Sequence, residues 1–153
     1  MKKTIGQRIK DFWTAQKLGI RKGVTLNDIA TFEQKYSVRL PPDLTDYFLT
    51  IDGLYDSDNE GFAFWPLDQL KTVPEETQDY SNFDDAGSYF VFGDYLVWCW
   101  AYAIRLSEDL TQENTVISIG WDSPKRMARS FSDYIELYFV DHPVLYGAKD
   151  ADS

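Results

Sequence analysis

The side chains of this 153-residue chain that are best suited to catalysis or metal binding are few. His142 is the only histidine and Cys99 the only cysteine, so neither a zinc site nor a histidine-rich active site can be assembled from them. His142 stands at a predicted helix end, where it is expected to complement the carbonyl dipole. Cys99 lies in the most apolar segment and is expected to be buried as a small hydrophobe.

Carboxylates offer a second kind of site. The loop 56–61, Asp-Ser-Asp-Asn-Glu-Gly, has oxygen-bearing side chains at its first and third positions and glycine at its sixth, as calcium loops do. Its fifth position is Glu60 and its twelfth is Leu67, so the bidentate acid of a calcium loop is absent. The sequence therefore predicts no metal site, and it offers no motif for a cofactor.

The acidic residues are concentrated in the middle of the chain. The net charge is −10, and residues 40–90 carry twelve carboxylates against one lysine. This excess argues against direct nucleic-acid binding and favours a basic protein as the partner. The residues predicted to contact that partner are acids of two polar segments and one aromatic neighbour: Tyr55, Asp56, Asp58, Glu60, Asp84 and Asp85.

Catalysis by carboxylates is the competing interpretation. It would require two acids that converge in a concave pocket, with the pKa of at least one of them displaced. Adjacent acids in polar segments, such as Glu75-Glu76, are usually exposed and separately solvated. We therefore predict that the protein is not an enzyme.

The elements that position these residues follow from apolar spacing and caps. Ile5, Ile9, Phe12 and Trp13 predict a first helix that ends near Gly19. Thr25 and Asp28 are typical of a capped helix start, and they predict a second helix over 26–36. The third helix is expected to begin at the proline pair 41–42 and to end at Gly53, acting as a left-handed cap.

The second half of the chain reads mainly as sheet. Strands are predicted over 62–65 and 89–92, with a turn at Gly93-Asp94, then over 96–104 and 116–120. The segment 96–104 is apolar at both alternating sets of positions, which indicates a central strand covered on both faces. Ser130 is expected to cap a closing helix. This order of elements predicts a single α+β domain.

The start of the chain lacks the continuous apolar core of a signal peptide, and the longest apolar run, 95–104, is far shorter than the ~20 residues of a membrane helix. We therefore expect a soluble cytoplasmic protein with no membrane partner.

Residues 26–53 resemble the opening of the SMI1/KNR4, or SUKH, superfamily. The resemblance rests on Phe32-Glu33, Leu40-Pro41 and Gly53, and the later segments 89–94 and 128–134 are similar to the family's strand and closing helix. The resemblance spans about residues 25–146. We expect one domain over 1–153, with a helical extension at 1–24 and a frayed tail at 147–153. The implied fold has a central, mainly antiparallel sheet flanked by N-terminal helices and a C-terminal helix, without catalytic residues or cofactors.

Many bacterial members of the family are immunity proteins, so the resemblance implies that this chain binds and neutralises a cognate toxin domain. We expect that toxin to be a basic nuclease whose active site is occluded. The alternative is a non-enzymatic regulatory or scaffold module that binds a host protein.

Overall fold

The computed structural model describes residues 2–147 and is an α+β fold, as the sequence predicts. Within these residues the helices are α1 (Ile5–Ala15), α2 (Leu26–Tyr36), α3 (Pro42–Thr50), α4 (Val73–Glu76) and α5 (Phe131–Phe139). The strands are β1 (Ile20–Lys22), β2 (Ile51–Leu54), β3 (Phe62–Phe64), β4 (Lys71–Thr72), β5 (Tyr89–Tyr95), β6 (Trp100–Arg105), β7 (Val116–Ile119) and β8 (Lys125–Ala128). Of the predicted tail 147–153, all but Gly147 lies outside the described residues.

Six strands form one antiparallel sheet. Its order is β3–β5–β6–β7–β8, and β4 pairs with the same edge of β5 that β3 uses. β1 and β2 form a separate antiparallel pair. Strand β8, which the sequence analysis did not predict, borders the sheet with the basic residues Lys125 and Arg126, and charged side chains are a common protection for a sheet edge.

The large core lies between the helices and one face of the sheet. Phe92 and Tyr102 reach this core from β5 and β6, where they meet Phe131 and Tyr134 of α5. The opposite face carries a smaller cluster that includes Ala101 and Ala103 of β6. The prediction of a central strand covered on both faces is therefore confirmed, although β6 begins at residue 100 rather than 96.

Two helices begin where their caps predict. Thr25 and Asp28 form a capping box at the start of α2, whose bounds are the predicted 26–36. Ser130 accepts a hydrogen bond from the Asp133 N–H at the start of α5. These starts depend only on residues within one turn, which explains why the sequence alone locates them.

The predicted role of Gly53 as the cap of the third helix is wrong. Helix α3 ends at Thr50, and Gly53 lies inside β2 with φ of +76°. A Cβ on Gly53 would stand 2.4 Å from the carbonyl oxygen of Phe64. Glycine is required there because β2 and β3 approach closely while the backbone is left-handed.

The turn predicted at Gly93-Asp94 is also wrong. β5 continues through Tyr95, and the chain reverses at residues 96–99. Gly93 lies within β5. A side chain would not fit there, because a Cβ would stand 2.5 Å from the carbonyl oxygen of Ala63 in β3. The glycine is explained by a close approach between strands rather than by a turn.

Candidate functional site

The acidic loop, which we define as residues 55–61, connects β2 to β3 and is built around Asp58. Asp58 Oδ1 accepts hydrogen bonds from the N–H groups of Glu60 and Phe62, each at 2.9 Å. The Asp58 backbone N–H donates to the Phe62 carbonyl at 2.8 Å. These bonds fold the segment into a compact turn whose central acid points inward.

Asp58 is 7% exposed, so the expectation that its carboxylate belongs to a solvent-facing contact surface is wrong. Its Oδ2 accepts a hydrogen bond from the Tyr138 hydroxyl of α5. That hydroxyl in turn accepts a hydrogen bond from Trp13 Nε1 of α1 at 2.9 Å. Burial, reinforced by the hydrogen bond to Asp58, raises the pKa of Tyr138, so the phenol keeps the proton that it donates.

The remaining predicted residues of the acidic loop face solvent. Tyr55 is 66% exposed, and the Arg21 guanidinium lies 5.0 Å from the centre of its ring. Asp56 and Glu60 are exposed. Asp58 thus fixes the loop to the core, while one aromatic ring and two carboxylates are presented on its outside.

Asp84 and Asp85 lie at the other end of β5. Tyr95 pairs with Phe62 beside the acidic loop, whereas Tyr89, six residues away, pairs with Arg105. At about 3.3 Å per residue this separates the two acidic groups by roughly 20 Å. The structure therefore does not bring the six predicted contact residues into one cluster.

Asp84 and Asp85 are both exposed, but Asp85 is also held by its neighbours. Hydrogen bonds from the Ser88 hydroxyl and the Arg105 guanidinium lower the pKa of Asp85, and the Arg105 Nε lies 2.7 Å from its Oδ2. Both carboxylates therefore remain open to a partner, although that of Asp85 already pairs with Arg105.

The single histidine and the single cysteine occupy places that the sequence did not predict. His142 Nδ1 accepts a hydrogen bond from the Val144 N–H at 3.0 Å and caps the 3₁₀ helix Pro143–Tyr146. It does not complement the carbonyls at the end of α5. Cys99 is exposed, because it falls in the turn before β6 rather than inside the strand.

This turn does not follow from the apolar pattern of the sequence. We define the hairpin tip as residues 96–99, between β5 and β6. Leu96, Val97 and Trp98 all have positive φ, at 48°, 52° and 68°. Val97 is 97% exposed and Leu96 is 51% exposed. The apolar run that begins at these residues continues into β6. The sequence pattern alone therefore predicts that they belong to the strand.

A groove of about 400 Å³ lies between α2 and the segment that follows β3. Its lining includes Asp28, Asp52 and Asp68. Burial raises the pKa of Asp52, which is 8% exposed. An acid with a displaced pKa in a concavity is the arrangement that a carboxylate enzyme would require.

Two of the three groove acids, Asp52 and Asp28, also have structural partners. Asp52 Oδ1 accepts a hydrogen bond from the Leu67 N–H at 2.7 Å, and Arg21 Nε lies 3.9 Å from its Oδ2. Asp28 Oδ2 accepts the Thr25 N–H at the start of α2. Across residues 2–147, histidine, cysteine and acidic side chains form no group of three or more that could hold a metal ion.

The family model of SMI1 / KNR4 (SUKH-1) matches residues 23–137, more than half of the chain. The chain belongs to this family. The match begins after α1 and β1 and ends inside α5, and no curated protein matches the chain. The SUKH-1 family is known as a family of immunity-protein domains. Among residues 2–147, no helix has the length and apolarity needed to cross a membrane.

Proposed function

We propose that this SUKH-1 protein is a cytoplasmic immunity protein that binds a cognate toxin domain and blocks its active site. The observation that carries the proposal is the acidic loop of a SUKH-1 domain, fixed to the core through Asp58 and presenting Tyr55, Asp56 and Glu60 to solvent. Binding rather than catalysis is its activity, and it uses no cofactor.

The charge of the surface indicates the chemistry of the partner. Residues 40–90 carry twelve carboxylates against one lysine, and all but Asp52 and Asp58 of these acids are at least partly exposed. This excess favours a basic toxin domain such as a nuclease, which must itself attract phosphates. Exposed charges steer association, whereas a half-buried aromatic ring slows dissociation. In this proposal Asp56 and Glu60 speed the encounter, Tyr55 anchors the complex, and Asp84 and Asp85 add a second, more distant contact.

The test uses the product of the adjacent upstream gene, which is expected to be the toxin if this chain is an immunity protein. The double variant Asp56→Lys, Glu60→Lys should associate with the toxin about tenfold more slowly than the wild type at low salt. This difference between variant and wild type should shrink as the salt concentration rises. Glu108→Lys with Asp133→Lys is the matched control, because it changes the net charge equally at two other exposed acids. Stopped-flow association at several salt concentrations measures the effect.

Three further results bear on the proposal. Coexpression should restore growth to cells that carry the toxin domain, and the pure protein should inhibit the toxin's activity at one-to-one stoichiometry. Asp84→Lys, made without the loop substitutions, tests the second contact separately. Equal association rates for the loop variant and the control would show that the acidic loop is not part of the interface. If the wild type did not restore growth, the regulatory alternative would be favoured.

The groove provides a separate test of the enzyme alternative. Asp52→Asn keeps an acceptor for the Leu67 N–H, so toxin rescue should be unchanged if the protein acts by binding. The pKa of Asp52 is higher in the folded protein than in the unfolded chain. The free energy of unfolding of the wild type therefore falls as the pH rises through the folded-state pKa. The variant should therefore be more stable than the wild type at pH 7, and this gain should vanish below about pH 4, where the unfolded carboxyl is also protonated.

Thermal unfolding across this pH range measures the linkage, and growth rescue measures the function. A loss of rescue by Asp52→Asn, with its stability intact, would contradict action by binding alone and would support chemistry in the groove.

A further inference from the structure

The hairpin tip exposes two apolar side chains, of which Leu96 lies partly over Gly61 of the acidic loop and Val97 points almost wholly into solvent. The large apolar residues of the neighbouring strands, such as Phe92 and Ile104, are buried, whereas Val97 is almost fully exposed. Leu96, beside it, is half exposed. Exposed apolar residues that stand together indicate a surface that another molecule covers.

The backbone of the tip makes the choice of residues more informative. Three consecutive residues are left-handed, a conformation in which the Cβ of an L-residue is crowded and a β-branched valine most of all. Glycine, asparagine and aspartate are the ordinary residues of such turns. Glycine at position 97 would suit the left-handed backbone better than valine, so the fold itself gives no reason for a valine there.

The tip is held rigidly in this conformation. Asp94 Oδ1 accepts the Trp98 N–H at 3.1 Å, and the Cys99 N–H donates to the Tyr95 carbonyl at 2.8 Å. The Trp98 indole donates to Glu76 Oε1 at 3.2 Å and stacks on Tyr80. Little conformational freedom is left for a partner to remove on binding.

The tip also adjoins the acidic loop. The Leu96 N–H donates to the Gly61 carbonyl at 3.0 Å, which joins the two segments directly. Glu60 is exposed and directly precedes Gly61. Asp141 accepts a hydrogen bond from the hydroxyl of Tyr146, whose ring centre lies 5.1 Å from that of Tyr95 at the base of the tip. The exposed apolar residues are therefore bordered by carboxylates, and they complement an apolar pocket that is itself bordered by lysine or arginine.

We propose that the hairpin tip inserts Val97 and Leu96 into an apolar pocket of the toxin domain, with Glu60 facing basic residues at the rim of that pocket. This inference rests on the proposed immunity function and specifies which part of the surface supplies the apolar contact. It adds to the acidic loop a contact that controls dissociation rather than encounter.

Val97→Gly should stabilise the protein but weaken its binding to the toxin, and these opposite effects separate a role in folding from a role in binding. Val97→Gly relieves the left-handed strain, so the thermal midpoint should rise by about 2–4 °C. The same change removes the inserted side chain, so the dissociation constant for the product of the adjacent upstream gene should rise about tenfold. Val97→Asn, which tolerates the left-handed turn but is polar, should weaken binding similarly.

The matched control is Leu110→Asn. Leu110 is exposed in the loop after β6, but Arg105 ties this loop to Asp85 of the proposed second contact, so Leu26→Asn is the second control. Leu26 is 70% exposed at the start of α2, where no contact is proposed, and its replacement should leave the dissociation constant unchanged. Calorimetry or surface plasmon resonance with the purified toxin domain compares the variants.

Cys99 provides an independent readout without mutation. It is the only cysteine of the chain and is exposed two residues from Val97. Saturating toxin domain should slow its alkylation by N-ethylmaleimide about tenfold, as followed by mass spectrometry of its peptide. Wild-type affinity in both Val97 variants, or unchanged alkylation in the complex, would overturn the insertion while leaving the immunity function standing. A wild-type protein that neither binds nor rescues would overturn both.

Discussion

Asp58→Ala should lower the free energy of unfolding by about 3–5 kcal/mol, more than the removal of either other carboxylate of the acidic loop. The Asp58 side chain is 7% exposed and accepts hydrogen bonds from two backbone N–H groups and from the Tyr138 hydroxyl. Alanine would leave the Phe62 N–H and the Tyr138 hydroxyl buried without this acceptor. Urea unfolding followed by tryptophan fluorescence measures the loss.

Two variants serve as controls for this prediction. Asp56→Ala removes an exposed carboxylate two positions earlier and should change stability by no more than about 0.5 kcal/mol. Asp58→Asn keeps an oxygen for the backbone N–H groups, so its loss should lie between those of the two alanine variants. If Asp58→Ala and Asp56→Ala were equally stable, the inward anchoring of the loop would be contradicted.

The parts of the fold that the sequence predicts correctly are those with local causes. Helix α2 lies at 26–36 because Thr25 and Asp28 satisfy its first N–H groups, and α5 follows Ser130 for the same reason. The central strand was recognisable because both of its faces are buried, which makes its alternating positions equally apolar.

The parts that the sequence could not predict depend on contacts between distant segments. Gly53 and Gly93 looked like a cap and a turn, but each is explained by the carbonyl of a neighbouring strand. Cys99 looked buried because apolar residues surround it in sequence, yet the chain reverses there. Neither the close approaches nor the reversal leaves a sign in local composition.

The candidate site shows the same division. Composition correctly indicated an acidic surface, but it could not separate Asp58, which faces inward, from Asp56 and Glu60, which face outward. The difference is set by Tyr138, eighty residues further along the chain. The acidic composition also favours charged residues as the contacts. It therefore gives no indication of the apolar tip at Leu96 and Val97.

Trp13→Ala should lower the free energy of unfolding by about 3–5 kcal/mol, although α1 lies outside the family match at 23–137. Trp13 is fully buried and packs edge to face on Phe64, with ring centroids 5.0 Å apart. A helical extension that could be removed without cost would not place such a residue in the core. We therefore expect the helix of residues 5–15 to fold with the rest of the domain as one unit.

Trp13→Phe and Tyr138→Phe separate the packing of Trp13 from its hydrogen bond. Trp13→Phe removes the indole N–H but keeps an aromatic ring, so it should cost less than Trp13→Ala. Combined with Tyr138→Phe in a double-mutant cycle, it should show a coupling of at least about 0.5 kcal/mol, because the indole donates to that hydroxyl. Additive losses would show that the hydrogen bond does not couple the two residues. A coupling of this size would show that Trp13 stabilises the hydroxyl that holds Asp58, and would make α1 part of the support of the acidic loop.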